Sequence, residues 1–160
     1  MGLRPELFYQ PPRPERVEAF LHRALEIAAF VEIGIDPADL LAEFNAESGR
    51  EWRAEALLFA LRGGDLPALA IEAATMCPPV EPGLSREDLV EVLALVRASE
   101  PPESAWYIDL FETAIGRPEA SALLFWPPDK WTWRRSGRKL TQWRPSEAAI
   151  VDLLLGTTEP

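Results

Sequence analysis

The stretch SREDLVEVLALV, residues 85–96, carries the clearest signal for the fold. Ser85 followed three residues later by Asp88 resembles a capping box, the start signal of a helix, with Asp in place of the usual Glu or Gln. The apolar residues behind it recur at helical spacing: Leu89, Val92, Leu93 and Val96. We therefore predict a helix here that buries one face.

The same apolar period recurs on both sides of this stretch and predicts an all-α chain, a bundle of short helices. Sixteen prolines among 160 residues favour short elements, because a proline interrupts a helix interior. Besides the helix at residue 85, we expect helices over residues 14–32, 37–48, about 57–63, about 66–76, 104–115 and 146–155, with a short helical turn over 118–124.

Two segments interrupt the helical pattern. Residues 77–83, CPPVEPG, hold three prolines and a glycine, which predicts a boundary between an N-terminal helical region (residues 1–80) and a helical domain (residues 84–160). The first region could equally extend the core of the second. In residues 130–144, Trp131 and Trp133 alternate with polar residues and Ser136-Gly137 is a turn signal, which predicts a small β-hairpin insert.

The charge is strongly negative but uneven. The chain has 16 Lys and Arg and 26 Asp and Glu, for a net charge of −10. Residues 130–144 hold six Lys and Arg and no acid, so the rest carries 10 − 26 = −16. Such a field repels nucleic acid and attracts a basic partner. Solubility alone explains the acidity equally well.

The chain offers few residues for catalysis or metal binding. His22 is the single histidine and Cys77 the single cysteine, whereas a zinc site recruits several such ligands. We predict no metal, no cofactor and no enzymatic activity. Every apolar run is shorter than a membrane span. The first 16 residues lack the apolar stretch that a secretion signal requires, so we expect a cytoplasmic protein.

Residues 84–155 resemble the small four-helix immunity proteins of DNase-type colicins and pyocins. The resemblance is carried by the order of three segments: LSREDLVEVLALVRASE, SAWYIDLFETAIGRPEASALLFWPP and RPSEAAIVDLLL. Phe111-Glu112, Pro118, Ser121, Leu123-Leu124 and Pro127 match the family pattern in order and spacing. The family's Asp falls at Ala122, its His at Arg117, and its two tyrosines at Phe125 and Trp126.

The resemblance implies a protein-binding surface. In the family, variable residues of the second helix select the toxin, and these correspond to Ile108, Asp109 and Glu112. The aromatic pair of the short third helix supplies shared binding energy, and it corresponds to Phe125 and Trp126. For the pair the alternative is core packing, and for the acids it is simple solvation.

Three functions follow as hypotheses. The first is an immunity-like inhibitor of bacterial origin that neutralises a protein toxin, such as a nuclease, by non-covalent binding. The second is an acidic helical adaptor or scaffold. The third, which the net charge disfavours, is a single-stranded nucleic-acid binder that uses Trp131, Trp133 and Arg134, with tryptophan stacking and phosphate contacts. The alternative for this segment is that Trp131, Trp133 and Trp143 cover the core while its Arg and Lys pair with acids elsewhere on the chain.

Overall fold

The computed structural model describes residues 2–129 and 134–156, and within these ranges the chain is helical without a strand. This confirms the predicted all-α fold. The described residues form seven α-helices: α1 (Pro14–Glu32), α2 (Ala38–Ser48), α3 (Ala54–Gly63), α4 (Leu66–Ala74), α5 (Arg86–Ala98), α6 (Glu103–Ile115) and α7 (Glu147–Leu155). Short 3-10 helices cover Pro5–Leu7, Ala120–Leu124 and Leu140–Gln142.

Capping side chains set the helix starts that the sequence marks. At α5 the Asp88 backbone N–H donates to Ser85 Oγ (3.2 Å), and the Ser85 N–H donates to Asp88 Oδ2 (2.9 Å), which completes the capping box. Ser146 accepts from the Ala149 N–H in the same way at the start of α7. Each cap satisfies a backbone donor that has no partner within its own helix.

The predicted start of α2 is shifted by one residue. Pro37, the first residue of the predicted helix, occupies the N-cap, and the helix begins at Ala38. The Asp36 carboxylate still accepts from the Ala38 N–H at 3.1 Å. The capping interaction is therefore present, although the helix begins later.

The chain divides into two compact units, and the division differs at its start from the predicted ranges. Residues 10–77 form one unit, here the N unit, while residues 2–9 cluster with the described part of 78–160 as the C unit. Each unit has its own buried apolar cluster.

The core of the N unit lies between α1 and the α3–α4 pair. Phe20 of α1 and Phe44 of α2 are buried at its centre, edge to face, with ring centroids 5.1 Å apart. The Asn45 side chain bonds both backbone groups of Trp52, accepting from its N–H (2.9 Å) and donating to its C=O (3.1 Å). This amide thereby fixes the connection between α2 and α3.

The core of the C unit is built on α5 and α6, and it includes the start of the chain. Leu3 and Leu7 are buried in the same cluster as Leu93 and Phe111. The Leu3 N–H donates to the carboxylate of Glu91 on α5 at 3.1 Å. A segment without a helical pattern thus completes this unit.

The predicted β-hairpin does not form in residues 134–144, and residues 130–133 lie outside the described residues. Gly137 takes a left-handed turn (φ +78°), and a 3-10 helix spans Leu140–Gln142. Local bonds occupy groups that a strand would offer to a neighbour, since the Lys139 N–H donates to the Gln142 side chain at 2.9 Å. An isolated two-stranded hairpin is marginal in water, so these local bonds prevail.

Candidate functional site

The candidate site lies in the C unit, where the chain leaves α6 and passes through Ala120–Leu124. Gly116 ends α6 in a left-handed conformation (φ +70°), and Glu119 adopts a positive φ of 62°. A non-glycine residue seldom takes this conformation. The two turns bring the chain back onto α6, where the Glu112 carboxylate accepts from the Ser121 hydroxyl (2.6 Å) and backbone N–H (3.3 Å).

A residue later in the sequence also holds this short segment in place. The indole N–H of Trp143, a half-buried residue, donates to the Leu123 carbonyl at 2.7 Å. Leu124 is buried in the core, 5% exposed. Three successive kinds of contact, at Ser121, Leu123 and Leu124, therefore fix this short segment although it is only five residues long.

The segment ends on two exposed aromatic residues. Phe125 is 59% and Trp126 44% exposed, and their N–H groups donate to the Ala122 carbonyl at 3.0 and 2.9 Å. Both side chains therefore lie at the surface, on backbone that is held by hydrogen bonds. Core packing, the alternative for this pair, does not describe these two residues.

The residues predicted on α6 have different surroundings. Ile108 is half-buried and packs against the core of the C unit, and Asp109 is half-exposed one turn before Glu112. The carboxylate of Glu112 is engaged within the chain, by Ser121. This contact positions residues 120–126, here called the aromatic segment.

The third group of predicted residues falls mostly outside the described part. Trp131 and Trp133 lie in residues 130–133, so their place relative to the core is not described. Arg134 is exposed, as are Arg135, Arg138, Lys139 and Arg144. The basic character that the sequence shows here is therefore on the surface.

A groove of about 380 Å³ lies beside the aromatic segment, and the sequence reasoning did not identify it. Its apolar wall joins the segment to α7: Pro118, Ala120, Leu123, Pro128, Leu153 and Leu154. Leu153 is 41% exposed. The run Leu153-Leu154-Leu155 could have indicated an exposed apolar surface on α7, because one helix stripe cannot bury three consecutive leucines.

Ion pairs engage the acids of α7. Arg86 of α5 makes a bidentate contact with Asp152 at 2.6 and 2.8 Å, and Arg97 pairs with Glu147 at 3.2 Å. The hydrogen bonds that Arg86 donates to the Asp152 carboxylate raise the pKa of the guanidinium above its ordinary value. These pairs join α5 to α7 and leave the groove between α7 and the aromatic segment open.

A larger concavity, about 520 Å³, lies in the N unit between the end of α1 and the starts of α2 and α3. Val31, Ile35, Leu41 and Trp52 form its apolar part.

In the described ranges, no group of three or more His, Cys, Asp or Glu is placed to hold a metal ion. Nor does any helix there have the length and apolar character needed to cross a membrane.

Comparison with known proteins adds no relative to this description: the chain matches no protein-family model, no curated protein and no solved structure.

Proposed function

We propose that this chain is a protein-binding inhibitor of the immunity kind, which neutralises a protein toxin by direct, non-covalent contact through Phe125 and Trp126. The observation that carries the proposal is the exposure of this aromatic pair, 59% and 44%, on a segment held by Glu112 and Trp143. Aromatic side chains dominate the binding energy of protein interfaces. A segment that is already ordered loses little conformational entropy when it binds.

Ile108 and Asp109 serve as the selective positions in this proposal. They lie on α6 one turn before Glu112, and residues three and four apart share one helix face. A half-exposed carboxylate and a half-buried aliphatic residue can discriminate between partners without dominating the affinity. Glu112 contributes by holding the aromatic segment in place.

The test is protection of a bacterial host against the toxin encoded next to the gene of this chain. Trp126→Ala and Phe125→Ala should each weaken binding of that toxin by about 30-fold or more, the effect of losing about 2 kcal/mol at an interface hot spot. Phe59→Ala is the matched control, because Phe59 is an aromatic residue 78% exposed on α3 of the N unit. It should leave both binding and protection unchanged.

Three results would count against the proposal: the absence of a toxin gene beside this one, full protection by Trp126→Ala, or a loss of protection in Phe59→Ala alone. Stoichiometry separates an inhibitor from the adaptor alternative. An inhibitor forms a one-to-one complex that silences an activity, whereas an adaptor joins further components and leaves the partner active.

A further inference from the structure

The surface next to the aromatic pair has the opposite charge to the rest of the chain. Its described basic residues, here the basic segment, are all exposed: Arg134, Arg135, Arg138, Lys139 and Arg144. No acid lies between residues 130 and 146, whereas the chain outside residues 130–144 has a formal charge of −16 from 10 basic and 26 acidic residues. A partner that approaches this region therefore meets a local field of positive sign.

Few acids of the C unit lie close to this segment in the sequence. Glu112 is bonded to Ser121, and Glu147, the first acid after the segment, pairs with Arg97 at 3.2 Å. Glu119 and Asp129 are exposed on either side of the aromatic pair. Residues 119–146 thus hold six Lys and Arg and two Asp and Glu, a formal charge of 6 − 2 = +4.

The basic segment adjoins the aromatic segment in the chain through Trp143. The Trp143 indole bonds the Leu123 carbonyl at 2.7 Å, so Arg144 follows directly on a residue in contact with the aromatic segment. The groove of about 380 Å³ lies beside the same segment, and Leu123 is part of its wall. Arg144, the exposed aromatic residues and the groove therefore all adjoin the same short segment, Ala120–Leu124.

We infer that this surface accepts an acidic peptide segment of the partner protein that carries an apolar side chain for the groove. The inference rests on the proposed function and names the partner chemistry of the same site. Carboxylates of the partner meet the basic segment, while its apolar side chain enters between Leu123 and Leu153. The part of the partner that docks here is acidic, although this chain itself has a negative net charge.

A peptide fits this surface better than a nucleic acid does. A nucleic-acid strand carries regularly spaced charge along its length, and beyond the basic segment it would meet a chain with a net charge of −16. The acidic stretch of a peptide can be as short as the basic segment. The groove is lined by leucine, proline and alanine together with Arg117 and Glu119, and its apolar residues can pack against an apolar side chain of a peptide.

The experiment measures binding of the full chain to fluorescent synthetic peptides by anisotropy at low salt. Three peptides share a central Leu-Phe pair and differ only in their flanks, which are Glu, Ser or Lys, and a single-stranded oligothymidylate serves as the nucleic-acid probe. The Glu-flanked peptide should bind most tightly. Reversal of two charges in Arg134→Glu/Arg135→Glu should weaken it by about tenfold and reduce its salt dependence.

Arg13→Glu/Arg53→Glu is the matched control, since both arginines are exposed on the N unit and their reversal changes the net charge by the same amount. It should alter binding much less, because the effect is local. Leu153→Asp tests the groove and should weaken all three peptides, because it places a charge in the apolar wall.

The inference is overturned if the Glu flank gives no preference, if the two double reversals act equally, or if oligothymidylate binds more tightly than the Glu-flanked peptide. The proposed function can fail separately. If Trp126→Ala still protects against the toxin while the Glu-flanked peptide keeps its preference, the inhibitor function is refuted and the acid-binding surface stands. If Trp126→Ala abolishes protection but no acid preference is seen, the reverse holds.

Discussion

Removing the contact between Glu112 and Ser121 should loosen the aromatic segment without unfolding the C unit. The hydroxyl-to-carboxylate distance of 2.6 Å is that of a charge-assisted hydrogen bond, and Ser121 is 8% exposed. Hydrogen bonds to charged groups contribute about 1.5–3 kcal/mol to stability. Because Glu112 is half-exposed, we expect the lower end, about 1.5 kcal/mol, for Ser121→Ala.

The assay is amide hydrogen exchange of the segment, since the N–H groups of Phe125 and Trp126 bond to the Ala122 carbonyl. A loss of about 1.4 kcal/mol corresponds to a tenfold change in the opening equilibrium, so protection of these amides should fall by about tenfold in Ser121→Ala. Glu112→Gln keeps a neutral acceptor and should cost about 1 kcal/mol. Thr113→Ala, at the exposed neighbouring position, is the control and should change protection little.

A double-mutant cycle decides whether the two side chains act together. If they do, Glu112→Gln/Ser121→Ala costs less than the sum of the single changes by about 1 kcal/mol. Additive losses, or unchanged exchange at Phe125 and Trp126, would refute the assignment of Glu112 as a positioning residue. Glu112 would then return to the set of partner-selecting residues that the family resemblance implies.

Three further predictions concern stability. Hydrogen bonds from the Ser85 hydroxyl and backbone hold the pKa of Asp88 below its ordinary 3.8, so its contribution is complete above that pH and is lost as pH falls through the lowered pKa; denaturant titrations of Asp88→Asn should show less of this acid loss. Burial raises the pKa of Tyr107 above 10.0, so stability is complete below that pH and declines as pH rises through the raised pKa; Tyr107→Phe should remove this decline, and an unchanged alkaline profile would contradict it. Phe44→Ala should destabilise the N unit by about 3–5 kcal/mol in thermal or chemical unfolding, while a loss below about 1 kcal/mol would contradict its central packing.

The helices were accessible from the sequence because their signals are local. Leu89, Val92, Leu93 and Val96 follow the helical period, and all four are buried on α5. The Ser85 cap and the glycines that end α3 and α6 depend only on residues within a few positions of each other. Such signals act whatever the rest of the chain does.

The elements that the sequence did not predict depend on distant contacts. Leu3 and Leu7 alone are too few to indicate an amphipathic helix, and their burial against α5 depends on residues more than eighty positions away. We predicted a hairpin over residues 130–144, whereas the Trp143 indole N–H bonds the Leu123 carbonyl. No local pattern marks a donor that finds its acceptor twenty residues earlier in the chain.

The candidate site was accessible only in part for the same reason. Phe125 and Trp126 could be named from their place before Pro127-Pro128, but the sequence left open whether they are buried. The groove requires Leu123 and Leu153 to come together, and thirty residues separate them. The role of Glu112 changed because its acceptor function depends on a serine in the next element.

The packing of residues 2–9 with residues 78–156 makes the N unit an insertion in the sequence of the C unit. During synthesis the ribosome releases the first residues of the C unit before any of the helices they pack against exist. Leu3 and Leu7 must wait until α5 and α6 have been made, whereas residues 10–77 already contain a whole core and can fold in the meantime. The order of translation therefore allows the N unit to be completed first, and the C unit, which carries the aromatic pair, last.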